Sequence, residues 1–209
     1  MSELFSLLAQ PEFNPKGLQN LESLVLENWS SSGDFNNESM KSFFEKLTSL
    51  KNLTVGFMFK LPKQMRLQIA QAVAELITAR SNSLISCDFS RFSRSQDGGD
   101  KDGEVIVNAL NIDNSGPKNL ETMICPGNEA WWTESTLKLF SEKSISKQEK
   151  LQTVDMRFSK LEEKGVDSVL YDIKEGESKK MKKFYLYGGN KCTGDKAKKC
   201  IFELRAKDV

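Results

Sequence analysis

The sequence predicts an α/β repeat array with parallel strands on one face and helices on the other. Three observations predict it. An apolar triplet at relative positions 1, 4 and 6 recurs six times; helical apolar periods lie between the recurrences; and the two patterns alternate along the whole chain. The triplets are Leu21-Leu24-Leu26, Leu50-Leu53-Val55, Leu84-Cys87-Phe89, Leu120-Met123-Cys125, Leu151-Val154-Met156 and Met181-Phe184-Leu186. Every anchor is apolar in a chain that is 38% apolar overall, an agreement that chance gives roughly once in 10⁷ or more trials before allowance for the choice of offsets.

The elements follow in order. Positions 4 and 6 are two apart, so on a strand they face the same way, while position 1 enters from the preceding turn and packs beneath them. Strands are therefore expected near 23–27, 52–56, 86–90, 122–126, 153–157 and 183–187. Met40-Phe43-Leu47, Ile69-Ala72-Leu76, Val166-Val169-Ile173 and Ala197-Cys200-Leu204 follow i, i+3, i+7, which puts three apolar side chains on one helix face. Val105-Ala109-Ile112 and Leu137-Phe140 follow more loosely. Repeat starts near 21, 50, 84, 120, 151 and 181 lie 29, 34, 36, 31 and 30 residues apart, a variation that stacked units absorb in surface loops. The run SQDGGDKDGE at 95–104 reads as one such loop. Residues 1–17, with a possible short helix at 2–9 before Pro11 and Pro15, read as a cap over the first sheet edge, and a helix near 195–206 as the cover of the last.

The L-x-x-L-x-L core of each unit, and GVDSVLYDI at 165–173 with its Gly-Val-x-x-Leu helix opening, resemble leucine-rich repeat proteins of the ribonuclease-inhibitor-like class. The resemblance implies a right-handed solenoid, a horseshoe arc of about six β-loop-α repeats spanning 18–209, with strands on the concave face and helices on the convex face. The family pattern also places an asparagine at position 9. Here only Asn128 stands there; Asn190 is one place late, and Trp29, Met58, Phe92 and Ser159 occupy the other repeats, so several irregular turns are expected.

Composition narrows function. The chain has no histidine, which removes Ser-His-Asp and Cys-His nucleophile systems and imidazole zinc sites. The four cysteines form no CxxC pair; Cys87 and Cys125 sit in strand-like runs and read as small buried apolar residues. DGGDKDGE lacks the first acid of an EF-hand loop and has Ala109 where its glutamate belongs, while YGGNK lacks the sequel of a phosphate loop. No metal or other cofactor is expected. MSELFSLLAQPEF has no basic leader, and no apolar run approaches the roughly 20 residues of a membrane helix, so a cytoplasmic protein without a membrane span is expected. Charge is uneven: residues 174–209 hold eleven Lys/Arg against five Asp/Glu, and residues 1–50 three against seven. Lysines in a short connection and a terminal helix read as solvated surface rather than as a nucleic-acid site.

Positions 3, 5 and 7 alternate with the core anchors and face out, with position 8 at the rim. Position 5 reads Val25, Thr54, Asp88, Ile124, Asp155, Tyr185; positions 7 and 8 add Glu27, Phe57, Arg91, Arg157, Phe158 and Tyr187. Tyr, Phe and Arg anchor protein interfaces, and Trp131-Trp132 add a loop candidate. The expectation is a non-catalytic module, alone or within a larger assembly, that binds a protein partner on this face. A regulator of a small GTPase resembling the Ran GTPase-activating protein, of the same repeat class, is the alternative; that family has an acidic tail after its repeats, and this chain ends basic.

Overall fold

The computed structural model describes residues 17–28, 36–93, 100–176, 180–186 and 188–191. Residues 1–16 of the expected cap, the helix expected near 195–206, and Trp29 and Tyr187 lie outside them. Six strands, β1 (Ser23–Glu27), β2 (Asn52–Gly56), β3 (Ser86–Asp88), β4 (Thr122–Ile124), β5 (Thr153–Asp155) and β6 (Lys183–Tyr185), form one open sheet in chain order. All five pairings are parallel, and each joins equivalent repeat positions: Leu24 to Leu53, Leu53 to Cys87, Cys87 to Met123, Met123 to Val154, Val154 to Phe184.

β1 and β2 have the expected five residues, whereas the others stop after three. Two causes are visible. The Asp88 and Asp155 carboxylates accept hydrogen bonds from the backbone N–H groups of Ser90 (2.8 Å) and Arg157 (3.0 Å), turns that draw the chain out of the ladder. In the fourth repeat Pro126 has no N–H to give.

Backbone bonds at the strand ends repeat as faithfully as the register. At each of the five boundaries the N–H groups of positions 2 and 3 both donate to the position-2 carbonyl of the preceding repeat: Lys51 and Asn52 to Glu22, Ile85 and Ser86 to Lys51, Glu121 and Thr122 to Ile85, Gln152 and Thr153 to Glu121, Lys182 and Lys183 to Gln152. At the other end, position 8 is left-handed in every repeat, at Asn28, Phe57, Arg91, Gly127, Phe158 and Gly188, with φ between 52° and 84°. The N–H groups of Phe57, Arg91 and Gly127 there donate to the position-7 carbonyls of Ser90, Pro126 and Arg157, at 2.8–2.9 Å.

Helices α1 (Asn37–Glu45), α2 (Lys63–Ala79), α3 (Asp100–Leu110), α4 (Glu134–Leu139, continuing as a π-helix over Phe140–Ile145) and α5 (Glu163–Glu175) return the chain, each in contact with the next. Asn36 and Thr133 cap α1 and α4 by accepting from Ser39 and Thr136 N–H. The expected loop at 95–104 is corrected in its second half, because residues 100–104 open α3. Asp102 is buried there and paired with buried Arg66, Nε to Oδ2 3.1 Å, while Arg66 Nη1 donates to the Leu61 carbonyl at 2.9 Å. Helical apolar faces and strand positions 4 and 6 form one core. The anchors of repeats two to five are all buried; Leu21, Leu26 and Phe184, in the end repeats, are only partly so.

Asn128 is fully buried and serves three backbone groups. Its Nδ2 donates to the carbonyls of Phe89 (2.6 Å) and Cys125 (3.2 Å), and its Oδ1 accepts from Ser93 N–H (3.1 Å). Asn190 does the same for Met156, Leu186 and Leu161. Two successive left-handed glycines, Gly188 and Gly189, supply the extra residue that carries it to the same place. In repeats two and three Met58 and Phe92 are buried instead as core side chains. Trp131 is fully buried between Phe89 and Phe92, with ring centroids 5.8 and 5.7 Å away, and Trp132 packs half-buried on Phe140 at 5.0 Å.

Two stability outcomes follow from this core. Phe89→Ala should cost about 3–5 kcal/mol in chemical denaturation. Arg66→Met or Asp102→Leu alone should each cost about 3–5 kcal/mol, because each strands a buried charge, whereas the double replacement should return to within about 1 kcal/mol of the parent or exceed it. An additive double variant would mean that the pair is not coupled.

Candidate interaction face

Positions 3, 5 and 7 project from the side of the sheet opposite the core, so register alone fixes which side chains become neighbours. Along position 5, Val25 is 63% exposed, Thr54, Asp88 and Ile124 are half-buried, and Tyr185 is 40% exposed. Glu27 at position 7 is half-buried, its side chain beside Gly56.

Asp155 departs from the expectation of an outward-facing contact: it is only 4% exposed. The cause is Arg157, whose Nε and Nη2 donate to both carboxylate oxygens at 2.7–3.1 Å. Arg157 in turn lies over the next strand, its Cζ 5.1 Å from the Tyr185 ring centroid. The carboxylate beside it holds the Arg157 guanidinium pKa above its usual value. Asp88 is likewise engaged, accepting from Ser90 Oγ at 2.6 Å as well as from its N–H. Asp155 therefore shapes the face from within through Arg157, whereas half-buried Asp88 keeps its charge on the face, both bonds from Ser90 falling on Oδ1.

The rim is built from the left-handed position 8. Arg91 is exposed, with Cζ 5.7 Å from the ring centroid of half-buried Phe57, and its Cγ would stand 3.0 Å from a Cβ at Gly127. Phe158 is 55% exposed and its Cε1 would stand 2.8 Å from a Cβ at Gly188. A large rim side chain thus lies on the glycine of the following repeat in both places. Of the expected cluster the structure brings Arg157 onto Tyr185 and sets Phe158 at the rim against Gly188; Tyr187 lies outside the described residues, and Trp131 and Trp132 are packing residues rather than free contacts. Sequence reasoning passed over Lys183, exposed at position 3 of the sixth repeat, where β6 begins; its signal was the same period of two that selected Tyr185.

Chemistry at the thiols is suppressed by burial. The Cys87 pKa is pushed up to about 12 and Cys125 is raised as well, first through loss of solvent and then through nearby carboxylates. Among the described residues no cluster of three or more metal-ligating side chains occurs, and no helix is long and apolar enough to cross a membrane.

No family model matches the chain, and no curated protein matches it. Among solved structures, a chain in the crystal structure of the Rad7 and Elc1 complex in yeast is similar over 80% of this chain and 64% of its own, at 15% identity and a TM-score of 0.28. A likeness at that score carries no argument about this chain.

Iodoacetamide at pH 8 should leave Cys87 and Cys125 unmodified in the native protein and alkylate both in guanidinium, as read by peptide mapping. Native alkylation of either would place it outside the core.

Proposed function

We propose that the chain is a leucine-rich-repeat solenoid, a right-handed arc whose concave sheet face binds a protein partner without catalysing a reaction. The observation that carries this reading is the in-register row of Val25, Thr54, Ile124 and Tyr185 on the side of the sheet opposite the core, continued at the rim by Phe57, Arg91 and Phe158. Exposed aromatics beside arginine exceed what a solvated face requires and are the residue types that dominate interface energetics. Function here is presentation. Short strands tied at both ends hold the side chains before the partner arrives, so little ordering entropy is lost on association. Glu27 and Asp88 line the same face, and Asp155 contributes through Arg157. The histidine-free composition supports a non-catalytic role.

A photo-crosslinking residue at Ile124 or Tyr185 should capture the same protein from the source cell, and one at exposed Tyr171 on α5 should not. Tyr185→Ala with Phe158→Gly should leave the circular-dichroism spectrum unchanged and weaken that partner by roughly 2 kcal/mol or more. Glycine suits the left-handed backbone at 158. Capture from Tyr171 alone would move the site to the helical side.

A further inference from the structure

The guanidinium of Arg157 is held by two groups, the buried Asp155 carboxylate along its Nε–Nη2 edge and the Tyr185 ring, over which its Cζ lies 5.1 Å from the centroid. A guanidinium has five N–H donors. Three of them, two on Nη1 and the second on Nη2, have no partner among the described residues, and the side chain is 45% exposed. Two of these hydrogens lie parallel along the Nη1–Nη2 edge, a spacing that matches the two oxygens of one carboxylate.

Because Asp155 already offsets the charge of Arg157, further attraction for an anion comes from its neighbours. Lys183 stands two residues before Tyr185 on β6 and therefore on the same face, exposed and without an ion pair among the described residues. Lys180 and Lys182 flank it, also exposed. At the opposite end of the sheet Glu27 gives the face an acidic finish. Apolar contact is available beside the cations, at Tyr185 and Phe158.

Building on the interaction reading, we propose that the β5–β6 end of the face seats an acidic, aromatic-containing segment of a protein partner. One carboxylate of that segment lies end-on against Arg157 and within reach of Lys183, and an adjacent apolar side chain packs on Tyr185 and Phe158. The single end-on edge presents two parallel donors and fits the two oxygens of a carboxylate; the surrounding cations are lysines, without the second guanidinium fork that would engage a further phosphate oxygen.

The test uses the full chain and three fluorescein-labelled nonapeptides, with central Glu-Tyr-Glu, Gln-Tyr-Gln and phosphoserine-Tyr-phosphoserine, followed by fluorescence anisotropy at 150 mM salt. The Glu-Tyr-Glu peptide should bind at least tenfold more tightly than its Gln isostere. That preference should vanish in Arg157→Gln with Asp155→Asn, a pair of changes that strands no buried charge. It should also fall in the surface variant Lys183→Glu, which keeps the proposal testable if the double variant does not fold. Equal binding of the Glu and Gln peptides, retention of the preference in Lys183→Glu, or tighter binding of the phosphopeptide would each overturn the proposal. If the Glu peptide shows no preference while crosslinking from Tyr185 persists, only the acidic chemistry is wrong; if both fail, the interaction reading falls with it.

Discussion

The structure depends on one constraint: each repeat hydrogen-bonds to the next in the same register from position 2 through the strand, and in repeats two, three and four on to position 8. Side-chain packing alone would tolerate a slide by two residues, which keeps the core face inward. The position-2 carbonyl marks the register adopted, since it takes two consecutive N–H groups at every boundary. Position 8 closes the other end by turning left-handed. At Phe57, Arg91 and Phe158 that conformation is adopted by residues that ordinarily avoid it. Such strain persists only where surroundings over-determine the backbone. Here the neighbouring repeat does so by accepting the N–H group, at Ser90 for Phe57 and at Pro126 for Arg91.

Much else follows from this ladder. Because the register is uniform, equivalent residues stack into rows, and the row at position 5 becomes a continuous strip of surface. Strands three, four and five end early where Asp88, Pro126 and Asp155 intervene, yet all six repeats turn at position 8, which delivers the rim residues together. Beneath them the middle of the array is stiffened differently from its ends. Trp131 fills the space under the third and fourth repeats, and Gly103 is required beside it, since an added Cβ would stand 2.5 Å from the indole Cγ. The Arg66–Asp102 pair lies in the same stretch. Burial raises the Asp102 pKa, and Arg66 opposes that rise.

The sheet was legible because its cause is short-ranged: apolar anchors two apart, repeated with one offset, define both the strands and their alignment. The helices with a clean i, i+3, i+7 period were legible for the same reason. Asp102 was not, because an acid within a glycine-rich, charged run looks solvated unless its partner is known, and Arg66 stands 36 residues away. Asn190 looked misplaced by one, and the two left-handed glycines before it restore its position. Asp155 looked like an outward contact; period two gives the face of a side chain, while its burial depends on Arg157 folding back over it. For the face as a whole, sequence identified the row, and only coordinates showed Arg157 bridging Asp155 and the Tyr185 ring.

The most direct test of the account is native-state hydrogen exchange at the amides of Phe57, Arg91 and Gly127. These residues lie just past strand ends, where an ordinary surface turn would leave N–H groups open to solvent. The account predicts that they exchange as slowly as the core-strand amides of Leu53, Cys87 and Met123, because each is bonded to the following repeat. Exchange at unprotected rates while those strand amides remain protected would contradict it, and would reduce the sheet to pairing of the strand centres alone.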